Sequence, residues 1–215
     1  MMRLLILVFA IFVMWPASSN AETADCAGCG VPHRDAAAFK NSLLLTVKNR
    51  SFVVAVAEKA RGQSQPMPGL VHADLGGDIS VVVVEDRKNT SRYVMSGEGK
   101  RFGLSDQDMM NVGRENLRRR VARLQIEEHG PVRTLSFEAD YNAALLLLPE
   151  VWSAIPNLPD GLVVAVPARD IVAFGDGADP EALAALRRIA RTSSDGYPVT
   201  TYLLQRVRGR WMVKN

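Results

Sequence analysis

ISVVVVEDRKNTSRYV, residues Ile79 to Val94, is the stretch on which the fold turns. Four consecutive valines carry no polar alternation, so Val81 to Val84 reads as a strand covered on both faces rather than one with a wet side. Glu85, Asp86 and Arg87 end the apolar run, Lys88-Asn89 supplies a turn, and Ser91 to Met95 reads as a returning strand. Just upstream, another β segment leads into the Gly76-Gly77 turn. Strands joined by turns this short pair antiparallel, because a parallel pair needs a long crossover.

Working outward, apolar positions 39, 43, 44 and 47 give a helical spacing over Ala36 to Val47. Ser51 to Ala60 is ambiguous between strand and helix, and Arg61 to Gly69 is a loop rich in Gly and Pro. Ser105 followed by Asp108 is a cap signature for the strongest helix. Its apolar stripe, Met110, Leu117, Val121 and Leu124, predicts a helix that Gly130-Pro131 ends. Val132 to Phe137, Asn142 to Leu148, Leu162 to Val166 and Ile171 to Phe174 read as strands, with a helical turn at Pro149 to Trp152. Asp179-Pro180 starts a second clear helix, and the C-terminus is a hairpin turning at Arg208-Gly209-Arg210. Strand and helix do not alternate strictly. The expected architecture is therefore α+β, a largely antiparallel sheet packed against two or three helices in a single domain, residues 36–215.

The 21 residues at the start have a different character. Arg3 precedes an unbroken apolar run from Leu4 to Trp15, Pro16 breaks it, and Ser19-Asn20-Ala21 supplies the small residues of a cleavage site. This is the layout of a signal peptide over residues 1–21, too short in its apolar part for the ~20 residues of a spanning helix. The expectation is a periplasmic or secreted protein of bacterial type, with no membrane span after cleavage. The whole chain has 215 residues and a net charge of +3, and removing the leader takes one arginine and no acid. A charge so nearly balanced gives no case for specific nucleic-acid binding.

Four segments in order, VVVVEDRKNTSRYV (Val81 to Val94), ENLRRRV (Glu115 to Val121), YNAALLLLPEVW (Tyr141 to Trp152) and VVAVPARDIVAF (Val163 to Phe174), resemble the YtpQ-like family of bacterial proteins. The resemblance covers roughly Leu70 to Trp211 and implies a single α+β domain with no established activity. It departs at the N-terminus, where this chain adds a leader and a cysteine pair.

That pair lies in DCAGCGVPH, Asp25 to His33, within a polar, exposed lead-in of residues 22–35. Catalytic Cys-x-x-Cys pairs sit between a strand and a helix N-terminus that lowers the thiol pKa, and neither flanks Cys26 here. A Cys26–Cys29 disulfide closing a small loop is the simplest reading, contributing about 2 kcal/mol at best. The alternative is a zinc or copper site formed by Cys26, Cys29 and His33, for which a fourth ligand is not evident.

Two further groups attract attention. On the helix RENLRRRVAR, Arg114, Arg118 and Arg119 project away from Leu117 and Val121 as a possible anion-contact surface, although a charged helix face needs no partner. Asp86, Arg169 and Asp170 lie at the ends of buried strands, where a polar site is readily built, and the two aspartates suggest an acid–base pair if the fold unites them. No Gly-x-Ser-x-Gly elbow, phosphate-binding loop or His-Glu-x-x-His is present. The reading from sequence is an exported binding or interaction module without catalysis, its partner an envelope protein or small ligand. Metal-handling or thiol chemistry at Cys26, Cys29 and His33 is the alternative.

Overall fold

The valine run forms the middle of β3 (Ile79–Arg87), and its two edges organise the first of two sheets. The computed structural model describes residues 35–62, 68–88, 90–192 and 197–214. The leader, the Cys26/Cys29 pair and His33 therefore lie outside the described residues. Along one edge of β3 runs β1 (Leu43–Asn49), antiparallel from Leu43 opposite Glu85 to Asn49 opposite Ile79. The other edge is shared: β2 (His72–Gly76) takes Ile79 to Val82, and β4 (Thr90–Tyr93) takes Val84 to Arg87. At the changeover the Val83 N–H donates to the Val71 carbonyl at 2.9 Å, and the Val94 N–H donates to the Val83 carbonyl at 3.0 Å. Val71 N–H in turn donates to the Val94 carbonyl at 2.9 Å, so three chain segments meet with their backbone groups paired.

Both faces of β3 are covered, as the unbroken valine run implied. Ile79, Val81 and Val83 enter the main core, whereas Val82 lies in a smaller apolar cluster with Val53 and Leu70, flanked by Phe52, Val56, Tyr93 and Met95. The cluster sits under α2 (Arg50–Arg61), whose N-cap Asn49 accepts from the Ser51 N–H at 2.9 Å. This settles the ambiguous 51–60 stretch as helix. The helix expected over 36–47 is corrected: α1 (Ala36–Ser42) stops early and residues 43–49 are β1. Leu43, Leu44 and Leu45 are all fully buried, which a strand between two covered faces accommodates. Pairing with β3 overrides the local helical spacing.

On the main-core side lies α3 (Asp106–Arg120), opened by the expected box in which Ser105 and Asp108 satisfy each other's backbone N–H groups. It buries Met109, Met110 and Leu117. The stripe expected to continue toward Gly130 ends sooner: a short 3₁₀ turn at Val121–Arg123 leads into β5 (Gln125–His129), all five residues of which are exposed. Its one apolar side chain, Ile126, is exposed among four polar ones, which leaves no alternation to detect.

The second sheet has six antiparallel strands in the order β10 (Arg210–Val213), β9 (Leu203–Val207), β7 (Leu162–Ala165), β8 (Ala173–Asp176), β6 (Val132–Ser136) and β5. One face is covered by α5 (Pro180–Ala190), through Ala182, Ala185, Leu186 and Ala190. The other face, with Val164, Phe174 and Leu204, joins the main core. Into that core runs Ala139–Leu147, a 3₁₀ segment where a strand was expected, followed by the short helix α4 (Pro149–Ser153). Tyr141 to Leu148 is buried throughout, so its apolar run carried no period to separate strand from helix. The indole N–H groups of Trp152 and Trp211 donate to the Leu145 and Leu146 carbonyls, each at 2.8 Å, and the two rings meet edge to face. The fold class is α+β with antiparallel sheets, and among the described residues no helix is long and apolar enough to cross a membrane.

Gly113 sets the distance between α3 and β1. A Cβ there would stand 3.0 Å from Leu45 Cδ2 and 3.2 Å from the Leu44 carbonyl carbon. Gly113→Ala gains about 1 kcal/mol of helix propensity, but the Leu44 backbone cannot move without disturbing the pairing of β1 with β3. Overpacking at about 1–3 kcal/mol wins. Urea unfolding of the variant is expected to show a net loss of stability, with the midpoint lowered at constant slope.

Candidate functional site

Beside α2, on the face of the first sheet that carries Val82, a polar cavity of about 430 Å³ opens over β1 and β4. Thr46 and Lys48 of β1 line it, together with Val84, β4, Asp140, Tyr141, Arg169 and Tyr197. The register places Lys48 opposite Ser80 and Thr46 opposite Val82, so all four side chains share this face.

Lys48 is only 6 % exposed. Its ammonium has no hydrogen bond or ion pair among the described residues. Instead it stands among three rings, 4.9 Å from the centroid of Tyr197, 5.5 Å from Phe52 and 5.7 Å from Tyr93. Such contacts offset part of the cost of burying the charge. They do not remove it: burial, then the nearby Arg169 guanidinium, holds the lysine below its ordinary pKa, against a smaller opposing pull from Asp140. The Oγ of Ser80, its cross-strand neighbour, is buried with no hydrogen-bond partner among the described residues.

The other charges around the cavity are matched. Arg169 donates to Asp140 at 2.8 Å and lies flat over Tyr197, 3.5 Å from the ring centroid. Arg169 is pinned by its backbone as well, its N–H donating to the Tyr197 carbonyl and its carbonyl accepting from the Ala143 N–H. Tyr141, on the cavity wall, donates to Asp86 Oδ1 at 3.0 Å, while Arg120 donates to Asp86 Oδ2 at 2.7 Å. Burial and the Asp86 carboxylate push the Tyr141 phenol above its ordinary pKa. Glu85, 1 % exposed, accepts from Arg92 at 2.6 Å and from Arg87 at 3.1 Å. Arg92 also grips Glu98, whose carboxyl is held below its ordinary value chiefly by that hydrogen bond.

The residues singled out from the sequence fare differently. Arg169 lines the cavity, and Asp86 reaches its edge through Tyr141. Asp170 has an exposed side chain and contributes its carbonyl, which accepts from Asn142 at 2.8 Å. Asp86 is held by Arg120 and Tyr141, and among the described residues no hydrogen bond joins it to Asp170. On α3, Arg118 is bound by Glu115 and Glu150, and Arg119 by Glu115. Arg114 and Arg118 border a separate groove that Arg206 and Arg210 of the C-terminal hairpin also line. Among the described residues no group of three or more His, Cys, Asp or Glu has the arrangement of a metal site.

Neither Lys48 nor Tyr197 was picked out from the sequence. The available signal was a single lysine closing the apolar run LLLTV of β1. Known protein families, curated proteins and solved structures offer no match to this chain. Function is therefore argued from the cavity itself.

A buried charge that meets no counter-ion among the described residues is a cost that folding does not require. Lys48→Met keeps much of the volume and removes the charge, so the variant is expected to be at least as stable as the parent, by about 1 kcal/mol. The advantage should shrink as pH rises. Lys48 binds its proton less well folded than unfolded, so the parent gains stability as pH climbs toward the ordinary lysine value of 10.5. Paired denaturant titrations of the two proteins across that range measure the difference.

Proposed function

We propose that this protein is an exported binding module, and that the cavity over β1 and β4 takes a small organic anion. The observation that carries this reading is Lys48, a nearly buried cation without an acidic partner among the described residues, on the wall of a polar cavity. An incoming carboxylate or phosphate would supply the missing counter-charge in a site where water screens poorly. Hydroxyls of Thr46, Thr90, Ser91, Tyr93 and Tyr197 around the same opening offer hydrogen bonds, and the rings of Tyr93 and Tyr197 offer flat apolar contact. At about 430 Å³ the cavity is in the range of small-molecule sites. Export rests on the N-terminal leader pattern. The alternative, metal or thiol chemistry at Cys26, Cys29 and His33, rests on residues outside the described part of the chain.

Thermal unfolding in the presence of malonate, citrate or inorganic phosphate tests the reading, with chloride at matched ionic strength as the control. A ligand at a hundredfold excess over its Kd adds about 2.7 kcal/mol, or a Tm rise of about 5 °C or more. At least one of the three anions is expected to raise the Tm of the parent and leave Lys48→Met unmoved. Equal responses in both proteins, or none in the parent, would count against the cavity as an anion site.

A further inference from the structure

If the cavity only had to hold an anion, an arginine at position 48 would serve as well, with more donors and a permanent charge. What a lysine adds is a nitrogen lone pair once it loses its proton. Three features of the site favour that loss. The strand that carries Lys48 is buried and paired along its length with β3, which holds the stem against the cavity wall. The rings of Phe52, Tyr93 and Tyr197 stand around the amine, which meets no carboxylate among the described residues. Asp140, the one acid lining the cavity among the described residues, is bound to Arg169, which also adds a second positive charge nearby. Desolvation together with a neighbouring cation is the environment that turns a lysine into a nucleophile toward carbonyl groups.

Taking the reading of the cavity as an anion site as its basis, we infer that the ligand is a small oxo acid, held covalently and reversibly. Its carbonyl carbon condenses with Lys48 while its carboxylate rests on the guanidinium of Arg169. In that step the neutral Nζ attacks the carbonyl carbon and a C–N bond forms. The carbonyl oxygen then leaves as water, carrying both hydrogens of the amine, and a C=N bond remains. No electrons are exchanged with a third species, so no oxidant or reductant is required. Arg169 is fixed for its part by stacking on Tyr197 and by its backbone bonds to Tyr197 and Ala143, which leaves the unbound edges of its fork to meet a carboxylate.

The test is reductive trapping. The full chain is incubated with stoichiometric glyoxylate and sodium cyanoborohydride near neutral pH, digested and mapped by mass spectrometry. Five other lysines, Lys40, Lys59, Lys88, Lys100 and Lys214, serve as internal references. Lys48, the buried one, is expected to be the most heavily modified of the six, severalfold above any of the other five. Acetaldehyde, which lacks the carboxylate, should lose most of that preference, as should glyoxylate with Arg169→Gln. Malonate stabilisation is measured on the same samples. Stabilisation by malonate with adducts confined to the other lysines would overturn covalent capture and leave the anion site standing. Absence of both would overturn the two together. Lys48→Arg should keep the malonate effect and lose the position-48 adduct, and the map of the parent protein decides the matter even if that variant does not fold.

Discussion

The first sheet and the helices that cover it are arranged around a strand that needs partners on four sides. β3 has β1 along one edge, β2 and then β4 along the other, α2 over one face and the main core with α3 over the opposite face. Such a strand satisfies its backbone only through neighbours on both edges, and its side chains only through cover on both faces. The junction at Val83, where one edge passes from β2 to β4, is where that demand is met by three segments at once. The charged end of the strand is treated with the same economy: Glu85 is held by Arg92 and Arg87, and Asp86 by Arg120 and Tyr141.

The cavity is a consequence of how one face is shared. α2 covers the part of the face around Val82 as far as Tyr93 of β4, whose ring lies 5.0 Å from that of Phe52, and the polar opening lies beside this cover, against Val84 and residues 90–93. Lys48 stands where helix cover gives way to cavity, close enough to Phe52 of α2 to be desolvated and still part of the cavity wall. Its charge is thus costly to the fold and useful only to something that enters. That combination, burial without a counter-ion among the described residues beside an accessible cavity, separates Lys48 from Arg92, which Glu85 and Glu98 hold, and from Arg169, which holds Asp140 with one edge of its fork.

Much of this was legible in the sequence, and for reasons that can be named. Helices α3 and α5 announced themselves through local chemistry, the Ser105–Asp108 box and the Asp179-Pro180 start, which act within a few residues and need no tertiary context. Burial of β3 on both faces followed from its unbroken valines. Beyond local chemistry the signals fail. β1 carries a helical spacing that only its pairing with β3 overrides, the exposed β5 carries no period, and the buried 3₁₀ segment over Ala139–Leu147 looks apolar in every register. The site was half visible: strand ends drew attention to Asp86 and Arg169, and the structure connects them through Tyr141 and the cavity wall. Lys48 was missed because a lone lysine in a strand acquires meaning only when the rings of α2, β4 and the Tyr197 segment are assembled around it.

The central claim is that Lys48 carries an uncompensated charge that a ligand completes. An NMR titration of the Lys48 side chain in the full chain, with and without malonate, tests it most directly. The account predicts a midpoint clearly below the ordinary lysine value of 10.5 in the free protein, moving upward when malonate binds. A midpoint at or above 10.5, unmoved by malonate, would mean that the lysine is already paired and that the cavity has no use for it.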